Sequence, residues 1–537
     1  MGFAFPPFKT WFLVYPGVIL MLHMIYTSGR LRQAFGRGYI ILLAFNASSV
    51  YWIGHWEGND IFLKIGGGAT VMAHPLFMLI PLLVSYGIYK ALRKEAAIFL
   101  FPLIWVGFEY LDNIWQLSFP WLELGNTETY NLNRIQYADL IGVHGITFII
   151  CIISVVLYVL TIRFNKKSWK IISAPSLASI ILIFILITWP YFYSYNKLNS
   201  PDNSKYFSTT DSSKLIKSTI IQPNVDPETK WVLEKKDSLV DAYIKHLNDA
   251  LKTNADLYIL HETATPYYFF EDYNYYNTKK FLDFVNNNRK YLLIGIPHLY
   301  YYPDSVKAPK ESGTSSITKR RFDTFNSAVL LEPDKQINDF TIHKKSKLVP
   351  FSERAPYQEY IPFLTKWIKW GVGISSWQRG DGLTLFNLSN PIFKERAKFE
   401  TLICFESVFS DYVSGGIKNG AEFIVIITND GWFGKSSGPV QHEQYAVLRA
   451  IENRKWIIRA AQTGISSYID PLGNQYDETG LNTEAVISKT IIANDEMTFY
   501  AEHGDIIGKA GYYILIISLL LSIILYYAVN RKRSRLA

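Results

Sequence analysis

Seven apolar runs, at roughly 10–27, 39–56, 69–91, 96–117, 139–162, 171–194 and 510–530, dominate the chain. Each approaches the ~20 residues that a helix needs to cross a hydrocarbon core of about 30 Å. A segment in lipid must satisfy every backbone N–H and C=O internally, so these runs predict helices. Lysine and arginine give an independent check. Arg30, Arg32 and Arg37; Lys90, Arg93 and Lys94; Arg163, Lys166, Lys167 and Lys170; and Arg531, Lys532, Arg533 and Arg535 occupy alternate loops. With seven spans all four clusters fall on one side, which the positive-inside tendency makes cytoplasmic. The N-terminus and the polar stretch 196–509 are then expected outside the cytoplasm. The run at 39–56 is the weakest, because it holds Asn46, Ser48 and Ser49. The first run has only a thin basic leader and no small-residue cleavage site after it, and is expected to be an anchor.

The division that follows is 1–195 as a membrane domain of about six helices, 196–509 as a polar domain, and 510–537 as a last helix with a basic tail. A chain of 537 residues also exceeds one compact domain. Its net charge of +8 sits largely beside the apolar runs, as orientation signals do, so nucleic acid is not the expected partner. Aromatic residues make up 16% of the chain, which suits long membrane–water boundaries. The two cysteines do not form a disulfide framework: Cys151 lies in an apolar run and Cys404 in the polar domain.

Within 196–509, short β-rich runs alternate with helical patterns. Expected strands are Ser218–Gln222, Leu257–Leu260, Tyr291–Ile296, Ala328–Leu331, Phe399–Ile403, Phe423–Thr428 and Ser467–Ile469; expected helices are Lys236–Lys252, Thr278–Asn287 and Val440–Asn453. Apolar strands separated by helices imply a layered α/β domain. Residues 299–324, charged and rich in serine and lysine, are expected to be a mobile surface insertion. Residues 361–377 interleave Trp367, Trp370 and Trp377 with lysine and glycine. Two readings are open, a buried hydrophobic loop and a lid at the lipid interface.

The chemistry centres on Cys404, which ends the run Lys398–Ile403. Upstream, Glu262 ends the run Ala255–Leu260 and Lys345 lies in a short basic cluster. A strand-end carboxylate, a lysine and a cysteine suit acyl transfer through a thioester. The carboxylate takes the thiol proton, and the ammonium favours the thiolate and, with a backbone N–H near Phe405, the oxyanion. His261 and His442 lack ligand spacing in the sequence and read as structural, so neither a metal nor a cofactor is expected.

At these positions the chain resembles the apolipoprotein N-acyltransferases, the membrane-embedded branch of the carbon-nitrogen hydrolase (nitrilase) superfamily. The matches are Phe5-Pro6-Pro7-Phe8 with Trp11, Phe119-Pro120-Trp121-Leu122, Gly142-Val143-His144-Gly145-Ile146-Thr147-Phe148, Gln222-Pro223-Asn224 with Trp231, Leu348-Val349-Pro350-Phe351, Cys404-Phe405-Glu406, Thr428-Asn429-Asp430-Gly431-Trp432-Phe433-Gly434, Gly438-Pro439 and Gln441-His442. The resemblance implies an αββα nitrilase-like sandwich inserted before the last transmembrane helix, with Glu262, Lys345 and Cys404 as its triad. It implies Glu353 as a supporting glutamate, and Trp231, Phe405 and Glu406 as further functional positions. Simple roles stay open beside these: ion-pair anchors for Glu353 and Glu406, core packing for Trp231. The implied donor is a phospholipid and the implied acceptor the N-terminal amine of a diacylglyceryl-cysteine lipoprotein. The implied setting is the bacterial inner membrane, with the catalytic domain periplasmic and the enzyme a monomer among membrane lipids. Departures are Ser352 for glycine, His261 for proline, Phe405 for tyrosine and Gln462-Thr463-Gly464 for paired asparagines. The family's first span is expected to be missing, since Phe5-Pro6-Pro7-Phe8 resembles its second. Two rival functions stand beside this one, a membrane-tethered amidase using water and a non-catalytic receptor or transporter.

Overall fold

The computed structural model describes residues 1–55, 61–92, 95–165, 174–271, 274–304, 306–360, 377–389 and 396–534. The loop tryptophans Trp367 and Trp370 lie outside these residues, as do several of the loop cations. The chain divides into two compact units, one made of Met1–Gly54, Lys64–Ser200 and His503–Ala537, the other of His55–Leu63 and Pro201–Glu502.

The first unit is helical. Among the described residues, five helices are long and apolar enough to cross a membrane: Lys64–Leu92, Glu95–Ile114, Ala138–Ile162, Leu177–Leu198 and Ile506–Leu525. The chain is therefore a multi-pass membrane protein. Two of the seven expected spans take another form. The first is a shorter apolar helix, Trp11–Tyr26. The second is the helix Leu31–Ser49, which starts upstream of the expected run and so takes in Arg32, Gln33 and Arg37. The last helix lies backbone to backbone against Phe101–Ile114. A Cβ on Gly107 would stand 2.1 Å from the Gly511 carbonyl oxygen, so both positions require glycine. Close approach at small residues is how helices gain packing where lipid gives no hydrophobic drive.

The second unit is an α/β sandwich of two mixed sheets. The strands are β1 (Leu215–Gln222), β2 (Leu257–Ile259), β3 (Tyr291–Tyr301), β4 (Gly313–Thr314), β5 (Arg321–Leu331), β6 (Ile342–Lys344), β7 (Leu385–Leu388), β8 (Ala397–Ile403), β9 (Phe423–Thr428), β10 (Ile457–Ala461), β11 (Ser467–Ile469), β12 (Gln475–Tyr476) and β13 (Ala485–Ile492). One sheet runs β13-β1-β2-β3-β5-β4, with β6 paired to β5; the other runs β12-β11-β10-β9-β8-β7. β1, β2 and β3 are parallel, as are β8, β9 and β10.

Alternation decides which side chains meet. Ile216, Ile220, Leu257, Ile259, Leu293 and Leu330 of the first sheet pack against Phe399, Ile403, Val425, Ile427 and Ile458 of the second. The opposite face of the first sheet, with Ile221, Tyr258, Leu292 and Ile294, takes Val240, Tyr243 and Leu247 of the helix Lys236–Ala250 and Phe281 and Phe284 of the helix Tyr275–Asn288. In the second sheet β9 is buried on both faces, and the helices Ser410–Lys418 and Ser437–Asn453 contact β8 and β11. Fully burying each such side chain contributes about 1.5–3 kcal/mol.

The 299–324 expectation needs correction. β3 runs on to Tyr301 and β5 begins at Arg321, and the two pair antiparallel from Leu292↔Leu331 to Tyr301↔Phe322. β4 adds to the same ribbon opposite Arg321 and Phe322. A two-stranded ladder satisfies its own backbone, so it tolerates a polar sequence.

Candidate active site

The residues singled out above gather where strands end. Cys404 follows β8 directly, Lys345 follows β6 directly, and Glu262 comes just after β2. Asn429 and Asp430 follow β9, and Gln462 follows β10. In α/β sheets the carboxyl ends of parallel strands are where loops bring functional groups together.

Lys345 is 1% exposed. Its Nζ lies 3.1 Å from Glu262 Oε1 and 2.8 Å from Glu353 Oε1. Asn326 Nδ2 donates to the same two oxygens at 2.7 and 3.2 Å. The other Glu262 oxygen accepts the Asn429 N–H at 3.0 Å, and Glu353 Oε2 accepts the Val349 N–H at 2.8 Å. Two carboxylates thus share one ammonium and one amide. Burial pulls the Lys345 pKa down, but the charges of Glu262 and Glu353, and Cys404 nearby, outweigh it and hold it well above the ordinary lysine value. Burial pushes Glu353 up, with Lys345 opposing and Glu262 adding to the rise.

Cys404 opens a 3₁₀ turn, Cys404–Val408, at φ 50°, in the left-handed region that a non-glycine residue enters at a cost. Burial raises the thiol pKa, Glu262 raises it further, and Lys345 draws it back. The resting sulfur is therefore a thiol, and attack requires a base. The carbonyl of Cys404 accepts from Ser407 Oγ at 2.8 Å and lies 3.2 Å from His442 Nε2.

Glu406 is buried in the same turn. Oε1 accepts the Ser346 N–H at 2.7 Å and the Tyr412 hydroxyl at 3.0 Å; Oε2 accepts the Ile403 N–H at 2.9 Å and faces His343 Nε2 at 2.9 Å. Burial would raise its pKa, but His343 and the two amides hold it below the usual carboxylate range. Phe405 is buried with its ring edge-on to Phe409, centroids 5.0 Å apart. Trp231 is half-buried, with the Lys230 ammonium 5.4 Å from its ring centroid.

Asn326 and Arg459 carry no signal that singles them out in the sequence, and Asp430 and His442 lie in matched motifs without a role assigned to them there. Asn326 lies in mid-strand. Asp430, His442 and Arg459 form a buried network: Asp430 Oδ1 is 2.8 Å from His442 Nδ1, and Asp430 Oδ2 accepts from Arg459 Nη2 at 2.6 Å. Cys404 Sγ, an Asp430 oxygen and a His442 nitrogen lie within 4.8 Å of one another, the donor types of a metal site. Those donors are already engaged. His442 Nε2 is 2.9 Å from Ser407 Oγ, and Asp430 is held by Arg459 and by Thr428 Oγ1 at 2.9 Å. A cation there would have to displace Arg459 and Ser407.

The sandwich of two mixed sheets is a carbon-nitrogen hydrolase domain: residues 219–496 match the carbon-nitrogen hydrolase family. Residues 1–156 match the apolipoprotein N-acyltransferase N-terminal domain. Among relatives, the apolipoprotein N-acyltransferase of Geobacter metallireducens is 30% identical over 89% of this chain and 85% of its own. That of Chlorobaculum tepidum is 28% identical over 94% of this chain and 91% of its own, and that of Pasteurella multocida 25% identical over 94% and 89%. The chain belongs to the apolipoprotein N-acyltransferases.

Proposed function

We propose that this chain takes an acyl group from a phospholipid, holds it as a thioester on Cys404, and passes it to the N-terminal amine of a diacylglyceryl-cysteine on a lipoprotein. The observation that carries this reading is the pairing of Glu262 with Lys345 at 3.1 Å, with both charges acting on the Cys404 thiol. In the first half-reaction Glu262 takes the thiol proton as sulfur attacks the ester carbonyl. Lys345 and the backbone N–H after Cys404 stabilise the oxyanion, where one such donor is worth about 3–4 kcal/mol in the transition state. The ester C–O bond then breaks, and the glycerol oxygen leaves with the proton from Glu262. In the second half-reaction the lipoprotein amine attacks the thioester. The C–S bond breaks, an amide forms, and the amine proton returns through Glu262 to sulfur. Glu353 keeps Lys345 in place, and Trp231, Phe405 and Glu406 shape and support the pocket.

Both substrates are lipid-anchored, which gives the apolar helices a purpose: they hold two amphiphiles at high local concentration. If Trp11–Tyr26 and Leu31–Ser49 cross with the five longer helices, the basic loops share the cytoplasmic side of the inner membrane and the catalytic domain, 196–509, faces the periplasm. The direct test is intact-mass analysis after incubation with phospholipid alone. One acyl mass is expected, released by hydroxylamine and mapped to Cys404. An adduct on another residue, or none, would overturn the proposal. A chase with a diacylglyceryl-cysteine peptide should transfer the group; loss to water at an equal rate would instead favour an amidase.

A further inference from the structure

Lys230 ends the short helix Pro227–Lys230 and is 1% exposed. Its Nζ donates to Thr263 Oγ1 at 3.0 Å and to Gln462 Oε1 at 2.9 Å. Both acceptors are neutral, and among the described residues no carboxylate lies within ion-pair reach of it. An ammonium buried in this way is costly, and such a group is retained where its charge has a use.

Its two acceptors bracket the candidate base. Thr263 follows Glu262 and adopts φ 44°, so the turn is held in a sparsely populated conformation. That turn sits directly on β3, where a Cβ on Gly295 would stand 2.6 Å from Glu262 Cα. Gln462 approaches from the other sheet. Its N–H donates to the Thr428 carbonyl at 3.1 Å, next to the Asn429 amide that binds Glu262, and its Nε2 donates to the Val225 carbonyl at 2.5 Å. Lys230 therefore joins three strand-end segments around Glu262. It also answers a charge imbalance, because Glu262 and Glu353 share the single ammonium of Lys345.

We propose that Lys230 is a positioning residue for acyl transfer: its ammonium, held by Thr263 and Gln462, fixes the turn that carries Glu262 and supplies a second positive charge near that carboxylate. This rests on the reading of Glu262 as the base. Burial pushes the Lys230 pKa down to about 7, with Glu262 opposing. The other titratable groups around the turn are Lys345 and Glu353 across the carboxylate, and His261, which burial and then Lys230 hold well below its ordinary value. Lys235 lines the same cavity of about 130 Å³ as Lys230. His261 therefore adds no positive charge on the acid limb, where Lys230 is an ammonium.

The test is the rate of Cys404 acylation against pH, using full-length protein and dioleoylphosphatidylethanolamine in detergent micelles. Removing a cation that faces the base makes the base harder to ionise. Lys230→Met should therefore move the acid limb upward by about 1 pH unit and lower the rate on that limb about tenfold. Lys230→Arg should return the limb to its original position. Gln462→Glu, a near-isosteric change that keeps the lysine and neutralises its field, should move the limb in the same direction as Lys230→Met. An unmoved limb in Lys230→Met, or a uniform loss of rate at every pH, would overturn the proposal. Should Lys230→Met not fold, an unmoved limb in Gln462→Glu would do the same. Absence of any adduct in the unaltered chain is a different failure, because it removes the acyl-transfer reading itself.

Discussion

Glu406 accepts the backbone N–H of Ser346 at 2.7 Å, so the turn that begins with Cys404 holds the segment that begins with Lys345. Cys404, the proposed nucleophile, and its neighbouring cation Lys345 are registered against each other by this carboxylate. Five groups converge on its two oxygens: the N–H groups of Ser346, Lys347 and Ile403, the Tyr412 hydroxyl and His343 Nε2. An amide has one acceptor oxygen, so Glu406→Gln must turn an N–H toward a donor. This change is expected to cost about 1–3 kcal/mol of stability and to slow acylation of Cys404 even where the protein remains folded. Thermal unfolding and adduct formation measured on the same preparation check both parts; full acylation in a folded variant would refute the clamp.

Glu262→Gln is expected to separate two reactivities. Without a base, thioester formation should fall by about 10²–10⁴. After burial, the charge of Glu262 is the main influence holding the thiol up, so its removal should speed alkylation of Cys404 by iodoacetamide at pH 8. Lys345→Met should slow both reactions. Peptide mapping distinguishes Cys404 from Cys151, and slower alkylation of Glu262→Gln would contradict the assignment.

The pair Arg459 and Asp430 is buried, with a contact of 2.6 Å. Arg459→Met leaves Asp430 without its main counter-charge, and breaking a buried pair in this way costs about 3–5 kcal/mol. The double variant Arg459→Met, Asp430→Asn should recover part of that loss. Denaturant titration of the three variants gives the coupling, and simple additivity would count against an ion pair of structural weight.

Acid should weaken the catalytic domain. Burial would raise the pKa values of Asp430 and Glu406, but Arg459 and His442 in the first case, and His343 with two amides in the second, hold both below the usual range. A carboxyl with a lowered folded pKa contributes its stability in full above the unfolded value, about 4, and loses it as pH falls through the folded value. Glu353, raised by burial, acts in the opposite sense above pH ~4. The melting temperature is expected to drop below pH ~4, and to drop less steeply in Asp430→Asn. Identical slopes would exclude Asp430 as a source of the acid sensitivity.

The strands that position Cys404 and Glu262 are legible in the sequence because short runs rich in apolar and β-favouring residues, Phe399–Ile403 and Leu257–Leu260, end just before the site residues. Phe423–Thr428 and Ser467–Ile469 are observed with the boundaries that their composition predicts. β13 is not legible in this way. It lies at a sheet edge with only Ile491 and Ile492 buried, so its pattern is weak. The ribbon of β3 and β5 extends through a polar stretch because ladder bonding, not apolar burial, holds it. Asn326 could not be singled out, since one asparagine in a strand has no signature until the fold sets it between Glu262 and Glu353. Lys230 is hidden for a different reason: it is one of several lysines in a short stretch, and only burial separates it from its neighbours.

The first strand of the sandwich pairs along its whole length with the last, from Leu215↔Ile492 to Gln222↔Ala485. Entry and exit of the insert therefore stand side by side. A module whose two ends meet can be spliced into a surface loop of an unrelated host without prying that host apart. The enzyme body and the lipid-embedded part can thus be exchanged or lengthened independently over evolutionary time.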